Sequence, residues 1–167
     1  MRPILILLFG IFLFTNVVCQ KEPENIKIDT TNEKESGKTQ FKKQGEVYFH
    51  DSTKNLIKKI DVEIAETDDA RHLGLMFREG MQEDQGMLFI FPAEEPQSFY
   101  MKNTVLPLDI IFVNSKKQIV KIHKNTEPFS EKSLLSIKPA TYVIEVNAGF
   151  TDKFKIKEGG YIEWRRN

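Results

Sequence analysis

The chain has one cysteine and one tryptophan among 167 residues, with only three histidines. A single cysteine excludes an internal disulfide framework, so packing has to hold the fold in whatever compartment it occupies. The histidines, His50, His72 and His123, stand alone with no second ligand at a metal-binding spacing, and no metal centre is expected. A surplus of one charge is missing too: 24 Lys plus Arg face 24 Asp plus Glu. A nucleic-acid binder needs excess cation to displace counterions from phosphate, so composition argues against a nucleic-acid partner. A phosphate-cradling glycine loop is absent, since Gly159-Gly160 is a lone pair before a strand and reads as a turn. Ser98 and Ser130 lack a nucleophile-elbow context. No motif asks for a cofactor, and no internal repeat is present.

Long apolar runs are confined to the start. Arg2 and Pro3 precede an almost unbroken apolar stretch from Ile4 to Phe14, and the span 1–18 reads as a signal peptide rather than a membrane span. Cys19 follows directly, at the position lipidated in bacterial lipoproteins. Asn16 and Val18 stand where such signals usually carry Leu and a small residue. A lipidated Cys19 would anchor the chain stably, because several acyl chains bury more than one does. Ordinary cleavage, leaving a soluble periplasmic or secreted protein, is the alternative. Residues 19–40 then form a tether: Gln20 to Gln40 is rich in Lys, Glu, Thr and Asn, with only Ile26 and Ile28 as large apolar residues, too few to offset chain entropy.

Residues 41–167 carry the folded domain, of a length suited to one core. Glu46 to His50 and Ile60 to Ile64 predict a hairpin, the second strand alternating apolar residues with acids. Thr67-Asp68-Asp69-Ala70 predicts a helix start, running to about Met76 with Ala70, Leu73 and Met76 or Phe77 on one face. Gly86 to Phe91 predicts a buried strand ended by Pro92, and Ser98 to Lys102 another strand. Leu108 to Val113 and Gln118 to Ile122 form the clearest hairpin. Residues 124–138 predict a loop. Tyr142 to Val146, a turn or short helix near Thr151 to Phe154, and a strand at Tyr161 to Trp164 complete the pattern. Such short strands with one or two short helices predict an all-β fold, a compact β-sandwich or barrel-like domain.

The chemistry concentrates between Arg71 and Asp109. Asp109 lies between Leu108 and Ile110, and Glu145 between Ile144 and Val146. A carboxylate set in apolar sequence needs a partner, because an unpaired buried charge is costly; Arg71, Arg78 and Lys102 are the candidates. Two readings follow. One is an internal network fixing register or loops. The other is a ligand pocket with Tyr100, Met101 and Phe91 as walls and Lys102, Asn103, Asp109 and Arg78 as orienting groups.

The strings GLMFRE, GMLFIF, FYMKNT-x-x-PLDIIF and Val-Ile-Glu-Val-Asn-Ala-Gly, in this order, resemble the uncharacterised bacterial and archaeal family catalogued as domain of unknown function 192, over about residues 44–165. The resemblance implies a small β-sandwich-like domain, often exported or lipid-anchored, with no established activity. The family's characteristic polar residues fall here on Arg71, Arg78, Lys102, Asn103, Thr104, Asp109 and Glu145. Tyr100 stands where the family commonly has Trp, and Gly160 where it commonly has an acid. The candidate ligand-binding residues are therefore Arg71, Arg78, Tyr100, Lys102, Asn103, Asp109 and Glu145. The expected function is an exported, membrane-tethered domain binding a small molecule or an envelope protein. A hydrolase or lyase dividing acid and base roles between Asp109 and Glu145, with Lys102 assisting, is the alternative.

Overall fold

A computed structural model describes residues 40–167. The predicted signal peptide, Cys19 and nearly all of the predicted tether lie outside the described residues. The elements are β1 (Gly45–His50), β2 (Leu56–Ala65), α1 (Asp68–Leu73), β3 (Gln85–Phe99), β4 (Leu108–Val113), β5 (Ile119–His123), β6 (Leu134–Asn147), α2 (Phe150–Lys153) and β7 (Tyr161–Arg166). The fold is all-β and barrel-like. One seven-stranded sheet, in the order β5-β4-β6-β3-β2-β1-β7, curls until its two edges meet. There Ile119 donates its N–H to the Gly160 carbonyl at 2.8 Å and Ile162 donates to Lys117 at 2.8 Å. This local joining, through the Gln118–Tyr161 bridge, covers part of each edge and leaves less unpaired ladder to invite foreign strands.

Neighbouring strands pair antiparallel except β2 and β3, which run parallel. A parallel pair needs a crossover, and α1 lies in it. Both predicted hairpins form, β1 with β2 and β4 with β5.

Alternation along the strands divides the apolar residues between two cores. The inner face supplies Val47, Phe49, Ile60, Val62, Leu88, Ile111, Ile144, Val146 and Ile162. The outer face of β3, β4 and β6 supplies Met87, Phe89, Ile110, Phe112 and Val143, joined by Leu75 and Met101. This second core exists because the segments after α1 and after β3 fold back over the outside of the sheet. A residue on the face opposite the barrel interior is therefore not automatically wet.

Three local expectations change. The helix stops at Leu73, not Met76, because Gly74 takes φ +49° and its N–H closes on the Ala70 carbonyl. Its predicted apolar face is not a core face: α1 buries no residue, Leu73 and Phe77 are exposed, and Leu75 beyond the helix packs inward. The segments 86–91 and 98–102 are not two strands; β3 runs through Pro92 to Phe99 with register shifts at Ile90/Glu95 and Pro96/Ser98. Proline cannot donate to a ladder, and such irregularities accommodate it. Part of the predicted 124–138 loop is strand, since β6 begins at Leu134 opposite Phe99.

Candidate functional site

Asp109 and Glu145 sit on adjacent strands, yet they face opposite sides of the sheet. Asp109 pairs in register with Val146, and Ile110 with Glu145. Successive side chains alternate, so Asp109 shares the Val146 side and Glu145 the Ile110 side. A carboxylate pair splitting acid and base work is therefore not what this sheet builds.

Asp109 is a structural anchor. It is fully buried and accepts four hydrogen bonds: from the backbone N–H of Asn125 (2.9 Å), Gly149 (3.2 Å) and Thr151 (2.9 Å), and from the Thr151 hydroxyl (2.6 Å). One carboxylate thus ties the loop after β5 to the start of α2. Its partners are main-chain amides rather than the cations expected from sequence.

Glu145 is the reverse case. It lies on the outer face beneath the folded-back segments, and its Oε2 is buried without a hydrogen-bond partner. Arg78 is the cation within electrostatic reach, but its guanidinium is bonded to Glu63, itself buried and also accepting the Lys42 N–H at 2.6 Å. One guanidinium serves two carboxyl groups, and Glu63 takes the bond. Burial pushes the Glu145 carboxyl up to about 8, against the weaker opposing field of Arg78. At neutral pH it is a protonated acid, able to donate as well as accept.

Above it lies a cavity of about 290 Å³, lined in part by Glu145, Phe89, Phe91, Phe99, Gln97 and Tyr100. Phe99 meets Phe89 edge-on at 5.1 Å and Phe91 at 6.2 Å, giving an aromatic wall. Gly74 forms part of the opposite lining, and its lack of a side chain keeps the space open. A Cβ there would come within 3.2 Å of the Phe89 ring and 3.8 Å of Glu145 Oε2. Arg71 borders the cavity with its guanidinium 5.3 Å from the Phe91 ring centre. It donates to the Ile90 carbonyl at 2.9 Å and bonds Asp68 and the Glu66 carbonyl, so it staples α1 to β3.

The structure thus brings Arg71, Tyr100 and Glu145 together around one cavity, with Arg78 behind Glu145. Lys102 and Asn103 turn outward. Lys102 is exposed and 3.7 Å from Glu131. Asn103 adopts φ +56° and uses its carbonyl to accept the Phe77 N–H at 2.9 Å. Met101 is buried, accepting a contact from the Thr126 hydroxyl at 3.1 Å, and lies outside this cavity. Gln97 and Glu63 were not singled out from the sequence, whereas Gly74 opens the GLMFRE string. Gln97 is buried on β3, its N–H held by the Ser136 hydroxyl at 3.0 Å. Among the described residues no group of three or more His, Cys, Asp or Glu is placed to hold a metal.

The fold and site define a small barrel-like β domain with one aromatic cavity floored by a neutral acid. The chain belongs to the family described as Uncharacterized ACR, domain of unknown function 192, whose profile matches residues 49–164. It is 28% identical over 113 residues to a UPF0127 protein of Pyrococcus furiosus, an alignment spanning 65% of this chain and 90% of that one. Among solved structures it resembles a Sinorhizobium meliloti protein described as a candidate transcription regulator, with TM-score 0.70 and 36% identity over 77% of this chain and 98% of that one. A protein of unknown function from Novosphingobium aromaticivorans superposes with TM-score 0.67 at 33% identity, covering 71% of this chain and 84% of that one.

Proposed function

We propose that this protein is a membrane-tethered binding domain of the cell envelope that takes a small molecule into the cavity over Glu145. The observation that carries the binding reading is the unpartnered Oε2 of Glu145, buried in the lining of an open cavity. A buried polar atom without a partner is rare and costly in a structure kept only for stability. A ligand hydrogen bond would remove that cost. The complementary ligand has an apolar or aromatic body for Phe89, Phe91 and Phe99, and one hydrogen-bonding group for a neutral carboxyl. A cavity of about 290 Å³ holds a compact molecule, near the lower end of the usual ~300–1,000 Å³ for such sites. The tether reading is supported by the apolar run before Cys19 and the polar composition of residues 20–40.

The test is a fragment screen by thermal shift on residues 40–167, run in parallel on Glu145→Leu. Leucine keeps the volume and removes the hydrogen-bonding group. Fragments with a polar group on an aromatic body should raise the Tm of the native domain and leave the variant unmoved. Equal shifts in both, or none in either, would dismiss Glu145 as the recognition element.

A further inference from the structure

Large exposed apolar side chains stand on and next to the segments that line the cavity. Leu73 (54% exposed) and Tyr100 line it, while Phe77 (61%) and Val105 (41%) follow the lining residues Met76 and Thr104, and Phe129 (63%) lies on a segment bonded to Thr104. They come from three segments laced together by main-chain hydrogen bonds. Phe77 donates to the Asn103 carbonyl at 2.9 Å, Phe129 to Thr104 at 3.2 Å, and Met101 to Ser130 at 2.8 Å. Phe77 and Phe129 hold φ +63° and +61°, left-handed backbone that a phenylalanine adopts against its preference. Strained backbone thus carries the two rings in the positions where burial is least.

Where the chain enters the domain bears on what covers these side chains. Lys42, near the first described residue, has its N–H bound by Glu63, and Glu63 holds Arg78, the neighbour of Phe77. Gln40 and Phe41 line a shallow cleft with Glu79, Gly80, Met81 and Gln82, just beyond Phe77. The described chain therefore begins beside the segment that carries Phe77. Residues 1–39 include the apolar run from Ile4 to Phe14 and Cys19. On the tethered reading, a flexible linker of about 20 residues would span roughly 25 Å and would keep a nearby apolar surface at high effective concentration against whatever holds the anchor.

We propose that the rim formed by Leu73, Phe77, Tyr100, Val105 and Phe129 docks on the lipid bilayer that carries the anchor, so that the cavity opens into the membrane interface. The inference rests on the tethered reading above. It adds to that reading the face the domain presents and the source of its ligand, a membrane-resident amphiphile. Aromatic side chains suit the headgroup level, where an apolar body is buried and a polar edge stays wet. Charge on these segments is mixed: Lys102 pairs with Glu131 at 3.7 Å, and Lys132 is exposed near Glu127, so the apolar rim rather than a basic patch carries the docking.

The full chain is reconstituted with phosphatidylcholine–phosphatidylglycerol vesicles, with and without brominated acyl chains, after flotation. The single native Trp164, partly buried against the inner core beside Tyr142, is the internal reference, and Phe77→Trp and Phe129→Trp report the rim. Docking predicts that bromine quenches the added tryptophans at least twofold more than Trp164. Phe77→Gly with Phe129→Gly relieves the left-handed strain and removes the rings, so it leaves folding intact. With the anchor segment replaced by a soluble leader, this pair should lower vesicle binding on the order of tenfold or more. Failure of the full chain to float overturns the tether and the docking together. Flotation with all tryptophans quenched alike, or with copies associating through Phe77 and Phe129 in solution, overturns the docking and leaves the tether standing.

Discussion

Glu145→Gln should stabilise the domain, and the gain should grow with pH. The ordinary glutamate value is 4.5 and burial raises it in the folded state to about 8. Below pH 4.5 both folded and unfolded chains hold the proton, and the group leaves no pH-dependent term. Between 4.5 and 8 the unfolded chain releases the proton while the native one keeps it. The native state then binds more protons than the unfolded state, and stability falls as pH rises. At about 1.36 kcal/mol per unit, the cost is about 1 kcal/mol at pH 5 and about 3 kcal/mol at pH 7, levelling off above pH 8. The amide matches the acid in shape and never ionises, so it escapes that cost. Urea unfolding followed by Trp164 fluorescence, at pH 4, 5.5, 7 and 8, gives the difference between the two proteins at each pH. Subtraction cancels the groups they share. Parallel pH profiles, or a variant less stable than the native domain at pH 7, would refute the reasoning.

Asp109→Asn should cost about 2–4 kcal/mol, because an amide NH2 would face the donors that the carboxylate now accepts from; urea titration reads this directly. Lys102→Met should change stability by less than about 0.5 kcal/mol in the same assay, its one ion pair being exposed. Arg78→Met leaves Glu63 buried without its cation and should cost about 3 kcal/mol, with the double variant Arg78→Met, Glu63→Gln recovering part of the loss. The same Arg78→Met change should push Glu145 higher still, since Arg78 is the field that lowers it.

Much of the barrel was legible because period-two alternation names the residues that share a face. Val62 and Ile64 alternating with Asp61 and Glu63 marked β2, and the hairpins followed from turn spacing. What alternation cannot say is whether the other face is later covered. Glu63 read as the wet side of a half-buried strand, yet the segment carrying Arg78 closes over it and buries it. The helix prediction overran for a related reason: spacing continued to Met76, but a single Gly at φ +49° ended the helix three residues earlier.

The candidate site was legible as composition and not as geometry. An acid between Ile144 and Val146 announced a group in need of a partner, and so did Asp109. The two needs are met differently. Asp109 is satisfied by amides from α2 and the loop after β5, which are distant in sequence and carry no side-chain signal. Glu145 is left with a proton. Gln97 completes the cavity from a stretch of β3 that no motif marks, and Gly74, the first residue of GLMFRE, completes it by leaving space, a role the motif alone does not state.

The most direct test is the titration of the Glu145 carboxyl itself. Carbon-13 labelling of glutamate side chains, with Glu145→Gln to assign the resonance, follows its chemical shift from pH 4 to pH 10. The account requires a midpoint near 8, the value its burial gives it. It also requires the midpoint to move when a cavity ligand binds. A midpoint near the ordinary 4.5 would mean the group is solvated or paired, and the cavity would have no unmet hydrogen bond to offer.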